Sequence, residues 1–113
     1  HNKTLHLNIA LSYGSRNEII RAVKNLISDY ENNKINIDEI NDESFKRYLF
    51  TSDMPDPDLL IRTSGEMRLS NFLLYQLAYT ELYFTDVLWP DFNREELLKA
   101  IENYQHRKRR YGN

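Results

Sequence analysis

The 113-residue sequence contains no cysteine, which excludes a disulfide framework and any thiolate metal site. Its three histidines are scattered and give no zinc spacing. No apolar run approaches the ~18 residues of a membrane span, and no signal peptide precedes the first expected strand. A soluble, cytoplasmic protein is therefore the expectation. A formal charge of −2 and a pI near 5.9 argue against a general nucleic-acid binder, in spite of the basic run Arg107-Lys108-Arg109-Arg110. There are no internal repeats and no low-complexity tract. What is present, 41% hydrophobic and 28% charged residues, has the balance of one small globular domain able to bury a modest core.

Leu5, Leu7, Ile9 and Leu11 alternate with His6, Asn8 and Ala10, so residues 5–11 are expected to form a strand with one apolar face. Tyr13-Gly14 turns the chain into a helix, with Ser15 as N-cap and Glu18 as its capping-box partner. Ile19, Ile20, Val23, Leu26, Ile27 and Tyr30 continue at helical spacing. Glu31 to Asn41 is polar and is expected to be a connection with at most a brief extended piece. Asn41 or Asp42 then caps a short helix through Phe45, Tyr48 and Leu49. Pro55 and Pro57 make the following segment a stiff loop, because each lacks an N–H and forces its predecessor into extended geometry.

That loop delivers the stretch around which the chain is organised, Asp58 to Asp91. Leu59-Leu60-Ile61 reads as a strand buried on both faces, with Arg62 emerging at its end. Thr63-Ser64-Gly65 turns. The run Asn71 to Tyr79 is apolar nearly all the way round a helix and predicts a buried one, with Ser70 as N-cap. Arg62, Arg68, Ser70 and the N–H groups of that helix start would then converge at one strand end, a site suited to a phosphate-like anion. Ordinary surface ion pairing, for example with Glu66, is the alternative for the two arginines. Glu81 falls at the end of the buried helix, where a carboxylate needs a partner, either a cation or a metal. Leu82-Tyr83-Phe84 adds a short strand, and Trp89-Pro90-Asp91-Phe92 a turn. The last helix starts at Asn93 with Glu96 as capping partner, buries Leu97, Leu98, Ile101 and Tyr104, and ends with basic residues and Gly112 as its cap.

The stretch IRTSGEMRLSNFLLYQLAYTELYFTDVLWPDF resembles the signature of the cis-prenyltransferases, in particular bacterial undecaprenyl diphosphate synthase. The pattern is Arg, five residues, Arg-x-Ser-Asn-Phe, then Tyr-x-Glu-Leu and Trp-Pro-Asp. It extends upstream through Leu7-Asn8-Ile9-Ala10 and Tyr13-Gly14-Ser15-Arg16, and downstream to Arg109-Arg110-Tyr111-Gly112. The resemblance covers essentially the whole chain and corresponds to the C-terminal half of the family's domain. It implies an α/β fold, a parallel sheet flanked by helices, and condensation of isopentenyl diphosphate onto an allylic diphosphate such as farnesyl diphosphate, to make a carrier lipid for cell-wall polymers.

Residue by residue, the resemblance implies that Arg62, Arg68 and Ser70 hold the diphosphate of isopentenyl diphosphate, with the Leu69 backbone alongside. It implies that Glu81 contributes to a Mg²⁺ site, and that Arg110 and Gly112 reach the active site of the partner subunit in a homodimer. A guanidinium suits the first role because it donates two parallel hydrogen bonds to phosphate oxygens. Mg²⁺ suits a site of few carboxylates, waters and phosphate oxygens. No residue between His1 and Asn113 matches the family's catalytic aspartate loop, so the chain alone is expected to be inactive. Two departures stand out: Ser64 occupies a position where many members have glycine, and Met67 one where many have histidine. The rival readings are a non-catalytic subunit of a heteromeric prenyltransferase and an unrelated phosphate-binding α/β module.

Overall fold

The computed structural model describes residues 5–112, and side chains as far as Arg107. In chain order the elements are α1 (Ser15–Glu31), a 3₁₀ turn (Ile37–Glu39), α2 (Asp42–Lys46), β1 (Leu59–Arg62), β2 (Glu81–Phe84), a second 3₁₀ turn (Trp89–Asp91) and α3 (Arg94–Gly112). β1 and β2 form a parallel two-stranded sheet, with Leu59 opposite Glu81 and Arg62 opposite Phe84. The result is an α/β arrangement in which α3 rests on β2.

Parallel partners share a face of the sheet and successive residues alternate between faces. The register therefore puts Leu60, Arg62, Leu82 and Phe84 on one face, and Leu59, Ile61, Glu81 and Tyr83 on the other. Both strands are half-buried along their whole length, so the expected strand covered on both faces is a strand only partly covered. Beyond Arg62 the ladder continues irregularly: Thr85 N–H donates to Arg62 O at 3.0 Å, Gly65 N–H to Thr85 O at 2.9 Å and Ser64 N–H to Val87 O at 2.8 Å. Ser64 and Gly65 both adopt left-handed backbone there, at φ 66° and 72°. That conformation is free for glycine and strained for serine. It accounts physically for the suitability of glycine at position 64.

Several expected elements are corrected. Residues 5–11 form no strand: Leu5, Leu7, Ile9 and Leu11 are each at least 74% exposed, because a strand needs a backbone partner for its hydrogen bonds and the residues beside this segment, Phe50 to Pro57 and Phe72, form a loop wall with no strand to pair with. The cap of α1 is Gly14, and Ser15 is the first helical residue. Its buried stripe is Ser15, Glu18, Ala22 and Leu26, while Ile20, Val23, Ile27 and Tyr30 are exposed. The polar pair turns inward because residues 50 and 71–76 supply its hydrogen bonds. The brief extended piece before α2 is a 3₁₀ turn. α2 is capped as expected by Asn41, whose Oδ1 accepts from Ser44 N–H at 2.9 Å, but it ends at Lys46 and continues as turns through Leu49.

The largest correction concerns residues 71–79, which form turns and bends instead of a helix. Ser70, Asn71 and Leu73 have φ of 53°, 65° and 47°, left-handed values that no right-handed helix accommodates. Ser70 therefore caps nothing. Only Leu77 and Gln76 are buried within this segment. At the other end of the chain Asn93 does cap α3, its Oδ1 accepting from Glu96 N–H at 3.0 Å. Gly112 is the last residue of that helix, not the cap beyond it.

Candidate functional site

Arg62 closes β1, and its Nη1 donates to the carbonyl oxygen of Arg68 at 2.6 Å. One guanidinium thus ties down the backbone that carries the second. The Arg68 side chain, 72% exposed, pairs with Glu66 at 2.6 Å, the surface ion pair raised as the alternative reading. Beside this link lies a groove of about 350 Å³ lined by Leu60, Ile61, Arg62, Thr63, Leu69, Ser70 and Phe72. Arg62, Leu69 and Ser70 are therefore brought together, at the carboxyl end of a parallel strand, where open α/β sheets place ligands. Arg68 adjoins them through its backbone. A guanidinium has five N–H donors, so the single bond from Arg62 to the loop leaves others for an anion. The helix start that was to supply further N–H donors does not form, and Leu74 N–H is spent on Ser15 Oγ at 2.8 Å.

Glu81 is not at the end of a helix. It opens β2, pairs with Arg107 Nη1 at 3.3 Å, and faces the side of the sheet away from Arg62. Arg107 also donates to Leu82 O at 2.7 Å, so it pins α3 to the first residues of β2. Among the described residues there is no cluster of three or more His, Cys, Asp or Glu side chains that would hold a metal. Mg²⁺ is bound through one or two carboxylates completed by water and phosphate oxygens. Here one carboxylate, held by a guanidinium, stands opposite Leu59, at the other end of the sheet from Arg62, and does not line the groove that would present the phosphate. The described residues of a single chain do not fit the ion, and no catalytic step is drawn through it. Arg110 and Gly112 continue the backbone of α3, and their side chains lie outside the described residues.

The groove's far wall is held from α1. Asn71 O accepts Ser15 N–H at 2.8 Å, and Asn71 Oδ1 accepts Arg16 N–H at 2.8 Å. Beneath it Glu18, 2% exposed, accepts from Tyr13 O–H, from Phe50 N–H at 2.7 Å and from Gln76 Nε2 at 3.3 and 3.4 Å. Burial, and then the hydrogen bond to the Glu18 carboxylate, push the Tyr13 phenol above its usual range. Sequence reasoning assigned Glu18 to a local capping box and passed over Asn71 and Gln76. One signal was available: Gln76 is a lone amide inside the apolar run Phe72 to Tyr79, and a buried amide requires a partner.

The family described as "Putative undecaprenyl diphosphate synthase" matches residues 1–112. The chain belongs to this family of prenyltransferases. The isoprenyl transferase of Chlamydia muridarum is 60% identical over 112 residues, which cover 99% of this chain and 44% of that protein. The isoprenyl transferase of Bacillus anthracis is 55% identical over 111 residues, 98% of this chain and 43% of that protein. A Thermoplasma volcanium protein named tritrans,polycis-undecaprenyl-diphosphate synthase (geranylgeranyl-diphosphate specific) is 53% identical over 107 residues, 95% of this chain and 42% of that one. Among solved structures, lavandulyl diphosphate synthase from Lavandula x intermedia, in complex with dimethylallyl diphosphate, superposes with a TM-score of 0.80 at 43% identity. The alignment covers 83% of this chain and 41% of that one. The chain thus spans under half the length of the relatives it matches. No helix among its described residues is long and apolar enough to cross a membrane.

Proposed function

We propose that this chain carries the isopentenyl diphosphate half-site of a cis-prenyltransferase. The observation that supports this reading is the convergence of Arg62, Leu69 and Ser70 on one groove, with Arg68 bonded to Arg62 through its carbonyl. Arg62 and the Ser70 hydroxyl would donate to the diphosphate oxygens. Arg68 would exchange Glu66 for phosphate, trading one anionic partner for another of higher charge. Leu60, Ile61 and Phe72 give the groove an apolar lining, suited to the five-carbon tail. Relatives named for prenyl diphosphates, and a similar structure holding dimethylallyl diphosphate, support the substrate class.

The complete enzyme in this reading is a cytoplasmic homodimer that extends an allylic diphosphate such as farnesyl diphosphate into a cell-wall carrier lipid. Arg110 and Gly112 would complete the partner's site. Preorganised cationic donors contribute by holding the isopentenyl diphosphate in register while the new carbon–carbon bond forms. Mg²⁺, when bound, supplies further neutralisation of diphosphate charge. Glu81 is this chain's carboxylate for it only in an assembly that frees it from Arg107 and brings a diphosphate to its face.

Calorimetric titration of the chain with isopentenyl diphosphate and with inorganic phosphate tests the half-site. Isopentenyl diphosphate should bind the more tightly. Losing a charge-assisted contact costs roughly 1.5–3 kcal/mol, so Arg68→Ala should weaken it on the order of tenfold to a hundredfold. Equal affinities for the two ligands, untouched by Arg68→Ala, would turn the reading toward a generic phosphate-binding module.

A further inference from the structure

Glu18 has no part in the anion groove as described, yet it is the most heavily hydrogen-bonded side chain around it. The residue is 2% exposed and, among the described residues, its carboxylate makes no ion pair. Neutral donors from three separate segments satisfy it: Tyr13 O–H, Phe50 N–H and Gln76 Nε2. A buried carboxylate left without such donors would be strongly destabilising, so the donors and the charge hold each other in place. Gln76 shows how strongly. Its amide nitrogen is committed to Glu18 and to Thr51 Oγ1 at 3.1 Å, while its own Oε1 is buried without a partner.

Two of these donors lead directly to the groove. The Tyr13 ring packs edge-on against Phe72, with centroids 5.7 Å apart and planes at 82°, and Phe72 lines the groove. Gln76 anchors the end of the segment that begins at Ser70. Within that segment Ser70, Asn71 and Leu73 are left-handed, a state that is strained for a non-glycine residue and persists only where the surroundings enforce it. The enforcing contacts come from α1: Ser15 and Arg16 hold Asn71, Ser15 Oγ holds Leu74 N–H, and Glu18 holds Gln76.

We propose that Glu18 is a positioning residue for the anion groove, clamping the 70–76 segment and the Phe72 wall in the shape that presents Ser70 beside Arg62. A glutamine would not serve. Its amide would offer an N–H where a carboxylate offers an oxygen, setting a donor against one of the donors that Glu18 now accepts from.

The deepening rests on the half-site reading, and the experiment separates the two. Glu18→Gln is compared with Leu26→Ala, which opens a cavity on the same buried stripe of α1 but touches neither Tyr13 nor Gln76 in the hydrogen-bond network. Isopentenyl diphosphate is titrated into the whole 113-residue chain, and amide exchange is followed at Leu74 and Leu77. At the net value of one lost hydrogen bond, Glu18→Gln should weaken isopentenyl diphosphate binding ~fivefold. It should also speed exchange at both amides. Leu26→Ala should lower global stability at least as much and leave the affinity of the folded fraction unchanged. Wild-type chain that binds no isopentenyl diphosphate would sink the half-site reading, and the positioning claim would then stand or fall on the exchange data alone. Wild-type exchange at Leu74 and Leu77 in Glu18→Gln, or a Leu26→Ala variant that reproduces its effects, would overturn the positioning role.

Discussion

Asn71 caps a helix far upstream of it: its Oδ1 accepts the N–H of Arg16, 55 residues earlier, at 2.8 Å, in the first turn of α1. Gly14, the local cap residue, has no side chain to offer. The same asparagine accepts Ser15 N–H on its backbone carbonyl. Two of the orphan donors of α1 are thereby satisfied by the loop that lines the anion groove, and the loop acquires a fixed anchor in exchange. Replacing a capping side chain by alanine costs ≈ 0.5–2 kcal/mol. Asn71→Ala should lower the unfolding free energy of the chain by about 1 kcal/mol in urea titrations. It should also accelerate amide exchange at Arg16. An unaltered midpoint would show that solvent replaces the cap at no cost.

Glu81 and Arg107 form the second long-range link, between β2 and α3. Both side chains are about one-third exposed, so solvent screens the pair and its coupling should be small, roughly 0.5–1 kcal/mol in a double-mutant cycle with Glu81→Gln and Arg107→Met. The coupling should shrink in high salt. Mg²⁺ added to the chain without a diphosphate should not change it, since the carboxylate does not line the groove and no second carboxylate among the described residues joins it. Loss of the coupling on adding millimolar Mg²⁺ alone would reveal a metal site on Glu81 that competes with Arg107.

Alkaline pH should weaken the fold through its tyrosines. Tyr13 is raised by burial and then by its bond to Glu18, Tyr48 first by its bond to Asp29, and Tyr75 first by burial and then by the Asp42 charge. A phenol with a raised pKa holds its proton longer in the folded chain than in the unfolded one. Its stabilisation is therefore complete below the unfolded value of about 10 and is lost as pH rises through the higher folded value. Urea midpoints should fall above pH ~10, and Tyr13→Phe should flatten part of that fall. A midpoint independent of pH up to 11 in both chains would contradict the linkage.

The exposed apolar surface predicts self-association. The radius of gyration is 17.3 Å, against about 13 Å for a compact chain of this length. Leu5, Leu7, Ile9 and Leu11 face solvent, as do Ile20, Val23 and Ile27 on α1. Sedimentation at micromolar concentration should show dimers or larger species, with Leu7→Lys shifting the balance toward monomer. In the presence of isopentenyl diphosphate, farnesyl diphosphate and Mg²⁺ the chain alone should make no elongated product. A well-behaved monomer would contradict the first expectation, and product formation the second.

Local chemistry was enough to reveal several elements in the sequence. The helix from Ser15 follows from its 3.6-residue spacing, Asn41 and Asn93 are legible as caps because their partners lie three residues on, and the short strand at Leu59 follows from its apolar run. The nearness of Arg62 and Ser70 was legible for the same reason, since they bound one short loop, and both line one groove. What sequence could not settle was which donors reach which acceptors across the chain. Glu18 was positioned for a capping box, but Tyr13, Phe50 and Gln76 converge on it from three segments, and a buried carboxylate goes where its donors are. The run Phe72 to Tyr79 has every local sign of a helix. It bends instead because Asn71 and Leu74 are drawn to the start of α1, and those tertiary hydrogen bonds outweigh a helix propensity worth only tenths of a kcal/mol per residue. Glu81 was placed by strand register alone: a two-residue periodicity assigns it to the face opposite Arg62, a relation that exists only once β1 and β2 are paired.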